Sequence, residues 1–289
     1  MDADAPSSTA CGVEAALREA PTEQLLASAR HLDRLSVEDA LALIHREDGV
    51  AHRAVGAVLP RIAEAVDVLV CAIGGGGRWF NVGAGTSGRL GVLDAAEIPP
   101  TFGMPHQVVQ GVIAGGDRAL RRAIEGAEDD FDAARLALQE RGLGLGDAVV
   151  AISASGHTPF ALGAIECATE VGARTIAITN VPGSPLAEMA EIAIAPNTGA
   201  EVVAGSTRMK AGLSQKMVLA MLSTAVMVQL GRVEGNLMTH MAPVSQKLSS
   251  RSVRIVATLA EIDEAEARAL LDRHGGELEA ALRAARARR

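Results

Sequence analysis

Turns rich in hydroxyls and glycine occur three times in this chain, and each carries groups that suit an anion. The first is Val82-Gly83-Ala84-Gly85-Thr86-Ser87-Gly88-Arg89. It follows a run with an aromatic centre, Arg78-Trp79-Phe80-Asn81, that reads as a buried strand, and it precedes Leu90 to Glu97, which reads as a helix. A strand that turns through glycines into a helix presents backbone N–H groups at the helix start. With the hydroxyls of Thr86 and Ser87 and the bare backbone of Gly88, they suit a phosphate. The second turn is Ser153-Ala154-Ser155-Gly156-His157-Thr158-Pro159, with Ser153, Ser155, Gly156 and Thr158 as candidate contacts and His157 as a possible donor. The third is Gly205-Ser206-Thr207-Arg208-Met209-Lys210. Ser206 reads as the N-cap of a long helix, with Thr207 beside it. Arg208 and Lys210 put cations where the helix dipole favours acids, which makes sense if an anion binds nearby. Any one of these is equally a tight turn with a capping serine. The first two, both at strand ends of one sheet, point to a shared ligand, because ligands of parallel sheets bind beyond the carboxyl ends of the strands.

Two carboxylates could supply chemistry beside such a cradle. Glu97 stands about three turns along the helix that the first turn starts, at a helix end closed by Pro99 and Pro100. Glu128 stands in Glu125-Gly126-Ala127-Glu128-Asp129-Asp130. A pair of carboxylates can act as general acid and base, although each alone reads as an exposed helix residue. The first turn is expected to anchor a ligand so that Glu97 reaches its reacting atom. The seven histidines lack ligand spacing, so no metal is expected. No Gly-Lys-Ser/Thr closes a Walker loop, and no acid stands clearly at a ribose position, so no nucleotide cofactor is expected either.

These turns need a scaffold. The chain has 289 residues, 48% of them hydrophobic, enough for a large core. Short apolar runs at 78–82, 108–114, 148–154, 175–179 and 192–195 alternate with helical stretches, which predicts an α/β fold with a doubly wound parallel sheet. Helical periodicity covers 22–48 and 51–74, with Ser36, Glu38 and Asp39 as a helix start. A long helix spans about 206–230, and small helices fill 255–287 around Gly275-Gly276. Three units follow: a flexible N-terminus over 1–20, an α/β domain over 21–248 that includes the N-terminal helices, and a small helical domain over 249–289. A net charge of −8, no Tyr and one Trp disfavour nucleic acid and anionic membrane as partners. Cys11, Cys71 and Cys167 form no disulfide framework. Met1-Asp2-Ala3-Asp4 opens no signal peptide and the apolar run Met217 to Leu230 is short for a bilayer, so a cytoplasmic location is expected.

Longer stretches carry a family likeness. The run from Val82 through Glu97-Ile98-Pro99-Pro100-Thr101-Phe102-Gly103 resembles the N-acetylmuramic acid 6-phosphate etherases. So do Gly111-Val112-Ile113-Ala114-Gly115-Gly116, Glu125 to Asp130, Asn180-Val181-Pro182-Gly183-Ser184-Pro185-Leu186-Ala187-Glu188 and Gly205 to Gly212. The resemblance begins near Thr22 and implies a sugar isomerase (SIS) fold and a homodimer with sites near the subunit interface. It implies loss of D-lactate from N-acetylmuramate 6-phosphate, then hydration to N-acetylglucosamine 6-phosphate, without metal or organic cofactor. Glu97 falls on the family's acid, a role that wants a carboxyl holding its proton. Glu128 falls on the second catalytic glutamate, most simply the base for the C2 proton. Thr86, Ser87, Ser153, Ser155 and Thr158 become candidates for phosphate and sugar contacts, and Ser206, Thr207 and Lys210 for closing the site.

The chain departs from the family pattern at five places. His157 stands where the family usually has Arg, Leu213 where it has Thr, Ala220 where it has Asn, and Ser245-Gln246 where it has Asn-Glu. These changes leave open a related 3-O-substituted amino sugar phosphate as substrate. A sugar-phosphate sensor like the glucokinase regulator, or an aldose–ketose isomerase, are the alternatives on the same fold.

Overall fold

The computed structural model describes residues 19–241 and 246–287. The predicted strands are all present, as β1 (Trp79–Gly83), β2 (Val109–Ile113), β3 (Ala148–Ser153), β4 (Arg174–Thr179) and β5 (Ile192–Ile194). They form one parallel sheet in the order β2-β1-β3-β4-β5. Every residue of β1 and β3 is buried, the polar Asn81 and Ser153 included, as expected of central strands covered on both faces.

Helices cover both faces. On one lie α1 (Val37–Ala57), α2 (Leu59–Gly74), α3 (Gly85–Phe102) and α7 (Lys210–Gln229); α2, α3 and α7 share a core with Trp79, Val150, Ile152, Ile176 and Ile178. On the other lie α4 (Phe131–Glu140), α5 (Pro159–Glu170) and α6 (Pro185–Met189), over Phe80, Val82, Val149, Ala151 and Ala177. Alternate residues of each strand thus feed opposite layers. A short hairpin, β6 (Val233–Glu234) with β7 (Leu237–Met238), leads to α8 (Gln246–Ala260), α9 (Glu264–Arg273) and α10 (Leu278–Arg286). These enclose a cluster of their own around Val256, Leu270, Leu271 and Leu282.

Several boundaries differ from those the sequence predicts. Ser36 does cap α1, its Oγ accepting the Asp39 N–H at 3.1 Å, but residues 21–34 form three 3₁₀ turns rather than the predicted helix. α1 runs through Gly49 and breaks at Val58, where Pro60 stands in the first turn of α2, the position that tolerates proline. Pro99 and Pro100 do not close α3. They sit in its last turn, and Gly103, in the left-handed region with φ 63°, ends it by donating to the Pro99 carbonyl. Residues 1–18 of the expected flexible N-terminus lie outside the described residues, as does Ser245.

α7 is long and apolar enough to cross a membrane, but it is a core helix here. Val218, Leu219, Leu222, Val226 and Met227 are buried along it.

Candidate active site

The chain leaves β1 toward β2 on one side and later returns to β3 on the other, so the strand order reverses between β1 and β3. Open parallel sheets bind ligands at such a switch point. Gly83 pairs with Ile152, so the turns after β1 and β3 emerge side by side, one strand spacing apart. The third turn joins them through α7. A Cβ on Gly212 would meet Thr86 Cγ2 at 3.3 Å, which places the start of α7 over the first turn.

The first turn works mainly through its backbone. Gly88 N–H is already bonded to the Ala84 carbonyl at 2.9 Å, leaving the N–H groups of residues 85–87 as the helix's orphan donors. Ser87 is buried and donates its hydroxyl proton to Gln215 Oε1 at 2.9 Å, so it offers an anion no side-chain donor. Gln215 Nε2 donates to Asn180 Oδ1 at 3.1 Å, and Asn180 Nδ2 donates to Ser214 Oγ at 2.7 Å. This buried relay fastens the first turn to α7 and to the end of β4. Its members Gln215 and Asn180 are invisible in local sequence because they act across more than 30 residues. A side chain on Gly88 would collide with the Gly83 carbonyl and with Ile113, so that glycine serves the close seating of α3 on the sheet. Thr86 is left half-buried as the free hydroxyl.

The second turn is internally bonded. Ser153 Oγ lies 2.8 Å from Thr158 Oγ1 and accepts the Gly156 N–H at 3.0 Å. Gly156, at φ 70°, allows the turn to press against Ser184. His157 folds back on its own loop, with Nδ1 2.9 Å from the Ser155 carbonyl. A carbonyl only accepts, so Nδ1 carries the proton there. Ser155 and Thr158 are half-buried at the rim.

The third turn differs from expectation. Ser206 does not cap α7, which starts at Lys210 with no capping side chain at its N-cap, Met209. Glu201 does that work from upstream: its carboxylate accepts the N–H groups of Lys210 at 3.1 Å and Ala211 at 2.9 Å. Burial pushes the Glu201 carboxyl above its usual range, and those two bonds with the Lys210 charge offset part of that. Lys210 is itself buried, its ammonium 2.5 Å from Glu47 Oε2 on α1. Ser206 and Thr207 remain half-buried in the turn ahead of the helix.

The two glutamates occupy different cavities. Glu128 lies in a 3₁₀ turn and lines a small pocket of about 150 Å³ with Gly85, Arg89, Ala114 and Glu125, against the anion cradle. Glu97 is exposed near the other end of α3, lining a cavity of about 380 Å³ with Asp94, Thr101, Lys216, Ser223 and Thr224. Twelve residues separate Gly85 from Glu97, a rise of about 18 Å. That exceeds the length of a hexose phosphate, and the cradle and Glu97 open on separate cavities of the one subunit. Asp94 and Lys216, which line the cavity of Glu97, had no part in the sequence reading. Burial pushes the Asp94 carboxyl up to about 6, while the Ser223 hydroxyl and Lys216 pull the other way. Among the described residues no His, Cys, Asp and Glu group could hold a metal ion.

Comparison with known proteins agrees with this architecture. Residues 61–169 match the glucokinase regulatory protein N-terminal SIS domain, and residues 141–247 match the SIS domain. Phosphoheptose isomerases from Francisella tularensis and Neisseria gonorrhoeae superpose with TM-scores of 0.51 and 0.50, at 18% and 19% identity. They cover 66% and 68% of this chain and 98% and 100% of theirs, a likeness of fold. Relatives named N-acetylmuramic acid 6-phosphate etherase are much nearer in sequence. That of Symbiobacterium thermophilum is 48% identical over 90% of this chain and 87% of its own length. Those of Jannaschia sp. and Escherichia fergusonii are 47% and 43% identical, over 87% and 88% of this chain and 79% and 95% of theirs. With such identity over nearly its whole length, the chain belongs to the N-acetylmuramic acid 6-phosphate etherase family.

Proposed function

We propose that this protein cleaves the D-lactyl ether of N-acetylmuramate 6-phosphate in a homodimeric site, where one subunit gives the anion cradle and Glu128 and the other gives Glu97. The observation behind this reading is the span of about 18 Å between the start of α3 and Glu97. An exposed apolar surface beside Glu97 supports it. Leu93 on α3, Met221 and Val228 on α7 and Leu59 on α2 all face solvent in the single chain, and a groove of about 860 Å³ runs between α2 and α7.

The 6-phosphate rests on the N–H groups of residues 85–87, with Thr86, Ser155 and Thr158 as hydroxyl donors and Ser206 and Thr207 closing over it. The open-chain aldehyde makes the C2 proton acidic, and Glu128 removes it. Glu97 of the partner subunit protonates the ether oxygen as the C3–O bond breaks, and lactate leaves. Lys216, beside Glu97, offers a cation to the lactyl carboxylate. Water then adds to C3 of the unsaturated aldehyde, its proton returning to Glu97, and Glu128 returns a proton to C2. The aldehyde itself holds the electrons of each step, so these steps ask for no cofactor. A cytoplasmic setting suits a phosphorylated substrate.

Incubation of the purified protein with N-acetylmuramate 6-phosphate should release D-lactate. Glu97→Ala should stop release yet still exchange the C2 proton in deuterated water, whereas Glu128→Gln should lose both. Phosphosugar binding without lactate would favour the sensor suggested by the match to the glucokinase regulatory domain. Full lactate release by Glu97→Ala would remove Glu97 from the acid role.

A further inference from the structure

The pocket of Glu128 holds a cation that has no part in the steps above. Arg89 lines it with Gly85, Glu125 and Glu128, and is the one cation among the described residues that do so. It stands one turn into α3. Helix side chains lean toward the N-terminus, which carries Arg89 back over Gly85. Its Nε donates to the Leu120 carbonyl at 3.4 Å, in the 3₁₀ turn Gly116–Leu120. That bond uses one of the guanidinium N–H groups, and the terminal nitrogens have no partner among the described residues. Glu125 and Glu128 share the pocket without forming an ion pair with it. A half-buried guanidinium turned toward the positive end of a helix dipole is unfavourable unless an anion comes to meet it.

We propose that Arg89 is a catalytic residue that receives the negative charge formed at the C1 oxygen when Glu128 takes the C2 proton. This rests on the reading of Glu128 as the base. As the C2–H bond breaks, its electron pair forms a C1–C2 double bond and the aldehyde oxygen becomes an enolate oxyanion. C1 is bonded to C2, so that oxygen develops beside the base, where two carboxylates oppose its charge. A guanidinium held in place offsets them, donating hydrogen bonds without giving up its own proton. Ala114, Ala119 and Ile124 wall the pocket, and a charge contact between apolar walls is worth more than one in water. When the C3–O bond breaks, the C1 carbonyl re-forms, the C1–C2 pair becomes the C2–C3 double bond, and the C3–O pair leaves with lactate. The charge on Arg89 is then free again for the hydration step.

Two open-chain probes test the assignment without turnover. 6-Phosphogluconate carries an anionic oxygen at C1, and glucitol 6-phosphate carries a neutral hydroxyl there. By calorimetry, Arg89→Met should weaken 6-phosphogluconate about tenfold or more while leaving glucitol 6-phosphate nearly unchanged, which also reports an intact fold. Arg89→Lys, which keeps the charge, should retain most of the preference. Equal loss of both probes in Arg89→Lys and Arg89→Met would put Arg89 at the phosphate, and no loss of either would make it a prop for the Leu120 turn; both results overturn the proposal. In turnover, Arg89→Met should slow C2-proton exchange in deuterated water about a hundredfold in kcat, with KM near the wild type. Exchange at the wild-type rate would also overturn it. Wild-type protein that shows the probe preference and C2 exchange but releases no lactate would overturn the etherase reading and leave Arg89 in its role.

Discussion

Asp94 holds its site at a cost to stability. Its carboxyl ionises near 6 in the folded chain against 3.8 in a free one. Below pH 3.8 both states hold the proton and nothing is lost. Between 3.8 and 6 the unfolded chain has released a proton that the folded chain keeps, so stability falls as pH rises. Above 6 the full penalty is present, about 3 kcal/mol for roughly two pH units. Asp94→Asn should therefore raise the thermal midpoint at pH 7.5, by an amount worth about 2 kcal/mol, and leave it unchanged at pH 3.5. An equal shift at both values would show that charge burial is not the cause. Nothing local in Leu93-Asp94-Ala95 marks this residue, because its burial is made by α7, more than 100 positions away in sequence. The hydroxyl turns were legible, being contiguous. Which hydroxyls are spent was not, since Ser87 is engaged by Gln215 from the same distant helix.

At the scale of elements, apolar runs located every strand of the parallel sheet, because strands covered on both faces are near-continuously apolar; the short β6–β7 hairpin had no such signal. Helix ends were less legible. The start of α7 is set by Glu201 reaching its first N–H groups across nine residues, whereas Ser206 satisfied only the local pattern of a cap. The same corner ties α1 to α7 through Lys210 and Glu47, whose side chains are 3% and 12% exposed. Removing one partner of a buried pair leaves a charge without compensation, at about 3–5 kcal/mol. Lys210→Met should lower the urea midpoint accordingly, and Lys210→Met with Glu47→Leu should recover most of the loss. If the double variant is as unstable as the single one, the pair is not what joins these helices.

At the scale of the molecule, the parallel sheet aligns three turns at one edge and leaves Glu97 on an outer face with exposed apolar neighbours. The helical part from α8 onward has its own core, and we propose residues 249–289 as a separate small domain beside the catalytic unit of 21–248. Sequence alone could put Glu97 about three turns along α3 but not show the cavities of Glu97 and Glu128, since those are completed by Lys216 and Ser223 of α7 and by Ala114 and Ile124. The proposed homodimer offers a direct measurement. Glu97→Gln and Glu128→Gln chains, each inactive alone, should regain lactate release when unfolded together and refolded as mixed dimers. Half the dimers pair one chain of each kind and hold one intact site of two, so activity should reach about a quarter of the wild type. No recovery, with mixed dimers shown to form, would contradict a site shared between subunits and return both glutamates to a single chain.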